Sequence, residues 1–87
     1  MKVFEGQLEW KTHEQLANEY WDHRVLLIDP DVDVEGNIKG GYLKAVSICG
    51  DPHISQLRKQ FPDRKAMIVE YSYLVYKALG MFPFERS

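Results

Sequence analysis

Apolar and polar side chains alternate loosely over residues 2–10, which predicts a strand with Gly6 as a bend or bulge. The following Thr12-His13-Glu14-Gln15 matches a capping box, in which a threonine hydroxyl and a glutamine side chain each bind the other residue's backbone N–H at a helix start. The next residues form the apolar face of a helix that is predicted to end near Asp22. That face consists of Leu16, Ala17, Tyr20 and Trp21.

The middle of the chain predicts two strands joined by a turn. A continuous apolar run within residues 24–29 stops at Pro30, which is typical of a strand buried on both faces. Gly36-Asn37 predicts a tight turn with Gly36 at its first central position, because glycine accepts a positive φ there. The second strand is predicted over residues 42–49, with Gly40-Gly41 as a site for a bulge. Alternation places Leu43, Ala45, Ser47 and Cys49 on one face, and Tyr42, Val46 and Ile48 mostly on the other.

A second helix is predicted to begin at Gly50-Asp51-Pro52, with Asp51 as the N-cap and Pro52 at the first helical position. Its apolar stripe consists of Ile54, Leu57 and Phe61. Pro62 is expected to end this helix, because the residue before a proline disfavours the helical conformation.

The segment formed by residues 65–79 is compatible with more than one structure. A strand is indicated by the alternation of Met67, Val69, Tyr71, Tyr73 and Val75. A full helix is indicated by the spacing of Met67, Tyr71, Leu74 and Ala78, with Gly80 after its end. A strand to about Tyr71 followed by a helix from Ser72 to Leu79 satisfies both patterns. A strand, continuous or split in this way, is favoured over the full helix.

The resulting order, β-α-β-β-α-β, predicts a single α+β domain over residues 1–87 with the split-βαβ, ferredoxin-like arrangement. Its last element is part helical in the split alternative. A fold this common implies no particular function. The chain ends in a hydrophobic tail, residues 81–87, which we expect to pack across its own sheet or in a groove of a second protomer or partner. Pro83 keeps this tail from extending a helix or a central strand.

Length and composition limit the class of protein. The 87 residues, of which 45% are hydrophobic, are enough for one modest core, and a single cysteine excludes an internal disulfide framework. No apolar run approaches the ~18 residues that a membrane span needs, and the N-terminal segment lacks a signal-peptide core. These features predict a cytoplasmic protein that does not associate with membranes.

Charge is distributed unevenly along the chain. Residues 1–37 carry nine acidic and three basic side chains, whereas residues 38–87 carry four acidic and eight basic ones. Such asymmetry is typical of chains that bind a charged partner. The alternative is that the two halves interleave in one sheet and neutralise each other, which is the more common outcome in small α+β domains.

Motifs for catalysis or cofactor binding are weak. Asp31, Asp33 and Glu35 fall at the first three ligand positions of a calcium loop, but Tyr42 stands where that loop needs a bidentate glutamate. The three histidines lack the spacing of metal ligands, and no phosphate-binding loop follows Gly40-Gly41. We therefore predict no catalytic residue, no metal and no cofactor.

The only cysteine, Cys49, lies just before the predicted start of the second helix, where the positive end of a helix lowers the pKa of a thiol. No second cysteine is present to resolve an oxidised sulfur. The favoured interpretation is a buried, inert residue at the end of a strand. A small enzyme with Cys49 as its reactive thiol is one alternative function.

A nucleic-acid-binding module is a second alternative, because RNA-recognition modules share the predicted topology and stack bases on aromatic residues of their sheet. Its basic patch would consist of Arg58, Lys59, Arg64 and Lys65. The formal net charge of −2 argues against binding a polyanion.

The leading hypothesis is a small non-catalytic module that binds a protein partner or forms a homodimer. It would act as a regulator or inhibitor that occludes or bridges a larger protein, as accessory proteins of the phage and plasmid type do. Acidic hairpin residues and surplus aromatic side chains are suited to such an interface. The candidate contact residues are Asp31, Asp33, Glu35, Tyr71, Tyr73, Met81, Phe82 and Phe84.

Overall fold

The structure is a computed structural model, and it describes residues 1–61 and 65–72. The strands in these residues are β1 (Lys2–Val3), β2 (Trp10–Thr12), β3 (His23–Val32), β4 (Ile38–Ile48) and β5 (Ala66–Tyr71), and the helices are α1 (His13–Glu19) and α2 (His53–Arg58). Arg64, Tyr73, the predicted tail with Met81, Phe82 and Phe84, and any helix after Ser72 lie outside the described residues.

The strands form one antiparallel sheet of five strands in the order β1-β4-β3-β5, with β2 pairing with β4 on the same side as β1. The predicted α+β class is therefore confirmed, but the ferredoxin-like order is not. That arrangement places the last strand beside the first, whereas β5 pairs with β3, from Ala66 opposite Ile28 to Tyr71 opposite His23.

The reason for this order lies in β3, where residues 25–28 have no exposed surface. A strand with apolar side chains on both faces is stable at the centre of a sheet, between two neighbouring strands and beneath cover on each face. β4 pairs along one edge of β3, and β5 pairs along the other. The ferredoxin-like order would have left this apolar strand at the edge of the sheet.

The two helices pack on opposite faces of the sheet. The core beneath α1 contains Leu16, Ala17, Val25, Leu27, Leu43, Val46 and Tyr71. The core beneath α2 contains Leu26, Ile28, Ala45, Ile54 and Ala66. α1 connects the parallel strands β2 and β3, and α2 connects the parallel strands β4 and β5. Both connections move across the sheet in the same direction, but β4 and β5 run opposite to β2 and β3. Right-handed crossovers therefore require opposite faces for the two helices.

The predicted helix starts are largely confirmed. The Thr12 hydroxyl accepts from the N–H of Gln15 at 3.1 Å, and the Gln15 side chain accepts from the N–H of Thr12 at 2.9 Å. Asp51 accepts from the N–H of His53, the first residue of α2, at 2.9 Å, although Pro52 rather than Asp51 stands at the cap position. α1 is shorter than predicted, since it ends at Glu19.

A bulge in β4 corrects the predicted faces of that strand. Leu26 is opposite Ala45 and Leu27 is opposite Leu43, so Lys44 is an extra residue on β4. The extra residue reverses the alternation beyond it. Leu43 consequently packs beneath α1 together with Val46, and Ala45 packs beneath α2.

A second bulge lies in β3, across from the glycines where a bulge was predicted in β4. Ile28 is opposite Tyr42 and Asp31 is opposite Gly40, which leaves Asp29 and Pro30 facing one residue. Asp29 adopts a φ of 50°, in the left-handed region. This bulge lets β3 continue through Pro30, which the sequence predicted to be its end.

β5 confirms the predicted strand for residues 66–71 and excludes a full helix over residues 65–79. Tyr71 is completely buried in the core beneath α1. Its side chain alternates onto that face because the strand is straight and regularly paired with β3. Tyr71 is therefore removed from the candidate partner-binding surface. Among the residues that the structure describes, no helix is long and apolar enough to cross a membrane.

We predict that Leu26→Ala and Leu27→Ala each lower the free energy of unfolding by about 2–5 kcal/mol in urea denaturation, because these neighbours pack beneath different helices. Ile48→Ala is the matched control on β4, since Ile48 is 68% exposed, and it should change stability by no more than about 0.5 kcal/mol. A sheet with one open face would make one of the two leucine variants nearly neutral, which would contradict the two-sided cover.

Candidate functional site

The end of β3 and the turn that follows it, residues 31–37, form an acidic element held by internal hydrogen bonds, which we call the acidic arm. The Asp33 carboxylate accepts from the backbone N–H groups of Glu35 and Asn37, both at 2.9 Å. The N–H of Gly36 donates to the carbonyl of Asp33 at 3.1 Å, and Gly36 has a φ of 88°. Gly36 is thus the last residue of a three-residue loop and not the first central residue of a two-residue turn, as predicted.

The acidic arm exposes apolar side chains as well as carboxylates. Val34 at its tip is 104% exposed and Val32 is 37% exposed. Asp31 and Glu35 are exposed beside them, while Asp33 is half-buried. The two backbone N–H groups that Asp33 accepts lower the pKa of this carboxyl group, which therefore stays ionised below its usual range. The structure brings the three predicted acidic residues together, but one of them is occupied in holding the turn.

Two of the basic candidates, Arg58 and Lys65, lie at the root of the acidic arm. Arg58 donates from Nε to the carbonyl of Ala66 at 3.0 Å, which satisfies a backbone group at the start of β5. Lys59 and Lys65 are exposed, the first directly after α2 and the second directly before β5. A groove of about 440 Å³, which we call the corner groove, separates the arm from Arg58 and Lys65. Its walls are Pro30, Asp31, Val32, Arg58, Lys65, Ala66 and Met67.

Cys49 is exposed, which corrects the prediction that it is buried. The alternation of β4 ends at Ile48, and the chain turns at Gly50, so the cysteine is outside the sheet. Its Sγ–H donates to the carbonyl of Asp22 at 3.3 Å. Partial desolvation and the nearby negative charge and hydrogen bonding of Glu70 raise the pKa of the thiol. Cys49 therefore lacks the lowered pKa that a nucleophilic thiol needs.

Glu70 belongs to a polar group that the sequence analysis missed. Arg24 donates from Nε to one Glu70 oxygen at 2.9 Å, and Ser72 donates to the other at 3.1 Å. The Arg24 hydrogen bond is the main reason why the pKa of Glu70 is lowered. Arg24 and Glu70 are 46 residues apart, and only the pairing of β3 with β5 makes them neighbours. No local sequence signal could have identified this pair.

A second missed feature is an aromatic pair at the edge of the sheet. Trp10 and Tyr42 meet edge to face with ring centroids 5.2 Å apart, and each is 40% exposed. Trp10 covers Gly40, where an added Cβ would lie 2.5 Å from the backbone oxygen of Lys11. The absence of a side chain at Gly40 thus permits the close pairing of β2 with β4. Tyr42 also lines a shallow cleft of about 440 Å³, together with Leu8, Lys44 and Phe61.

The sheet face that an RNA-recognition module would use is not open in the described part of the chain. The central strands β3 and β4 are covered by α1 on one side and by α2 on the other. Exposed aromatic residues occur at the edge, on Trp10 and Tyr42, and not in the centre of a face. The described residues therefore provide no open sheet face on which bases would stack, as the nucleic-acid alternative requires.

Comparison of the chain with protein-family models, with curated proteins and with solved structures finds no match. The candidate function accordingly rests on the exposed arm, the corner groove and the charges around them.

We predict that Asp33→Ala accelerates hydrogen exchange at the backbone amides of Glu35 and Asn37, because both lose their carboxylate acceptor. Asp31→Ala is the control, since it removes a charge from the same arm without removing a bond to these amides, and it should leave both rates unchanged. The exchange rates are measured by NMR. Equal rates in the two variants would contradict the assigned role of Asp33.

The same bonds set a pH dependence. Because the pKa of Asp33 is lowered on folding, the protection of the arm is complete above the usual pKa of an aspartate and disappears only as the pH falls through the lowered value.

We predict that Cys49 reacts with iodoacetamide near pH 7 several-fold more slowly than a free model thiol, in spite of its exposure, because its raised pKa keeps it protonated. Glu70→Gln removes the negative charge that raises this pKa and should accelerate the reaction. Glu14→Gln, at an exposed position of α1, is the control and should leave the rate unchanged. Wild-type labelling at the rate of the free thiol would contradict the assignment.

Proposed function

We propose that this chain is a non-catalytic protein-interaction module, a regulator or inhibitor that binds a larger partner through the acidic arm. The observation that carries the proposal is Val34, a β-branched apolar residue that is 104% exposed at the tip of the arm. The geometry of this loop depends on Gly36 and on the hydrogen bonds of Asp33, and it does not require a valine between them. A residue of this kind gains free energy when a partner covers it.

The fixed backbone of the arm favours binding. Asp33 holds the loop through two amide hydrogen bonds, so the arm has already lost most of the conformational freedom that binding would otherwise remove. Burying the Val34 side chain contributes roughly 1.5–3 kcal/mol at most. Val34 therefore supplies part of the binding free energy, and the neighbouring charges add to it.

The charges beside Val34 define the chemistry of the partner. Asp31 and Glu35 are exposed carboxylates on either side of the tip, and Lys39 on β4 contributes to lowering the pKa of Asp33 between them. We infer a partner surface with a shallow apolar recess that is bordered by lysine or arginine side chains. Exposed charges of this kind act mainly on the association rate and on its salt dependence.

The state of two polar groups at the described surface, Cys49 and Glu70, supports the non-catalytic part of the proposal. The exposed thiol of Cys49 has a raised pKa, and Glu70 is held by Arg24 and Ser72. Neither group is poised for proton transfer or nucleophilic attack at neutral pH.

The test compares two neutralised variants with equal net charge. Asp31→Asn/Glu35→Gln changes the arm, and Glu5→Gln/Glu9→Gln changes the loop between β1 and β2, where both side chains are at least 77% exposed. A partner captured from host extract by the immobilised wild-type chain is identified by mass spectrometry, purified, and measured by stopped-flow binding. We expect the arm variant to slow association several-fold at low salt and to flatten the salt dependence.

The control variant should associate at the wild-type rate. Val34→Ser should accelerate dissociation while leaving the association rate nearly unchanged, because it removes an apolar contact and no charge. Equal association rates for the arm and control variants would overturn the role of the arm. Retention of nucleic acid, with no protein partner, would overturn the proposed function.

A further inference from the structure

The corner groove forms because β5 starts opposite Ile28, whereas β3 continues beyond Ile28 to Val32. Ala66, the first residue of β5, is opposite Ile28, and the N–H of Asp29 donates to the carbonyl of Lys65 at 2.8 Å. Within the described residues, β3 pairs beyond this point with β4 alone, through Asp31 and Val32. Among the described residues, the arm therefore projects past the start of β5 and leaves a corner beside its root.

Opposite charges face each other across this corner without neutralising. Asp31 lies on the arm side, and Arg58 and Lys65 lie on the other side. Among the described residues, no ion pair within 4.0 Å joins Asp31 to either base. Lys59 follows Arg58 in the sequence and is exposed. The groove thus presents an acidic surface and a basic surface that are both free to meet complementary charges.

The apolar surfaces of the arm and the groove also complement each other. The arm exposes Val34 and Val32, and the floor of the groove contains Ala66 and Met67. An apolar centre with a charged rim is the usual composition of a protein–protein interface. The basic side of the groove, with Arg58 and Lys65, has the opposite charge to the arm, and both belong to the same chain.

We propose that two copies of this chain form a symmetric dimer in which the acidic arm of each copy occupies the corner groove of the other. A two-fold interface is self-complementary, so each acidic arm that meets a basic groove implies the reciprocal contact. The dimer places Asp31 and Glu35 of one copy beside Lys59 and Lys65 of its partner, with Val34 over the groove floor. This inference relies on the arm being a docking element, as in the proposed function, but not on any larger partner.

The test is a reciprocal charge exchange in the full chain, read by native mass spectrometry and by sedimentation velocity at low ionic strength. The arm variant is Asp31→Lys/Glu35→Lys, and the groove variant is Lys59→Glu/Lys65→Glu. Arg58 is left unchanged because it holds the carbonyl of Ala66. Each variant alone brings like charges together at both contacts of the dimer, and an equimolar mixture restores attraction at both.

We expect the wild-type chain to form a species of twice 10.2 kDa whose population falls as salt is added. Each charge variant alone should lose at least tenfold in dimer affinity, and the mixture should form a heterodimer. Glu5→Lys/Glu9→Lys carries the same change in net charge as the arm variant and is the control. It should retain the wild-type dimer and should fail to rescue the groove variant, which separates a local contact from attraction between net charges.

A second measurement needs no substitution. Concentration-dependent NMR shifts in the wild-type chain should concentrate at the amides of residues 31–37 and 65–67. A wild-type chain that stays monomeric at millimolar concentration and low salt would overturn the dimer, as would a dimer that both charge variants retain. Neither result decides the proposed function, because its test measures binding to a larger partner and not self-association.

Discussion

Burial of β3 on both faces is the constraint on which the rest of this structure depends. Residues 25–28 have no exposed surface, so the strand needs a neighbour along each edge and a helix over each face. β4 and β5 supply the edges, and α1 and α2 supply the faces. Because β5 lies beside β3, the right-handed connection from β4 to β5 places α2 on the face opposite α1. Strand order and layer order therefore follow from one apolar run.

The same arrangement creates the surfaces that are available for binding. Because β3 extends past the start of β5, its last residues and the turn after them project as the acidic arm, and a groove is left beside their root. The bulge at Asp29 allows the strand to continue past Pro30 into the arm, whose first residues still pair with β4. Asp33 then fixes the loop, so that Val34 is held in solvent by bonds within the arm and not by contacts with the core.

Charge follows the same topology. The acidic first half of the chain and the basic second half meet in the sheet, where Arg24 pairs with Glu70 across β3 and β5. In this pair the base belongs to the acidic half of the chain and the acid belongs to the basic half, so each half contributes its less common charge. Part of the excess charge lies at the corner, with carboxylates on the arm and with Arg58 and Lys65 across the groove. The uneven distribution of charge along the sequence thus becomes a local separation in space.

The sequence by itself determined the elements that depend on neighbouring residues. The capping box at Thr12, the apolar run in β3, the stripe of α2 and the alternation of residues 66–71 could all be recognised, because their signals lie within a few residues of one another. Only the tertiary structure decided which strand pairs with β3, since that choice depends on contacts between distant segments. It also decided the bulge at Lys44, the burial of Tyr71, the exposure of Cys49 and the corner groove, because each results from the register between strands, and a shift of one residue exchanges the two faces of a sheet.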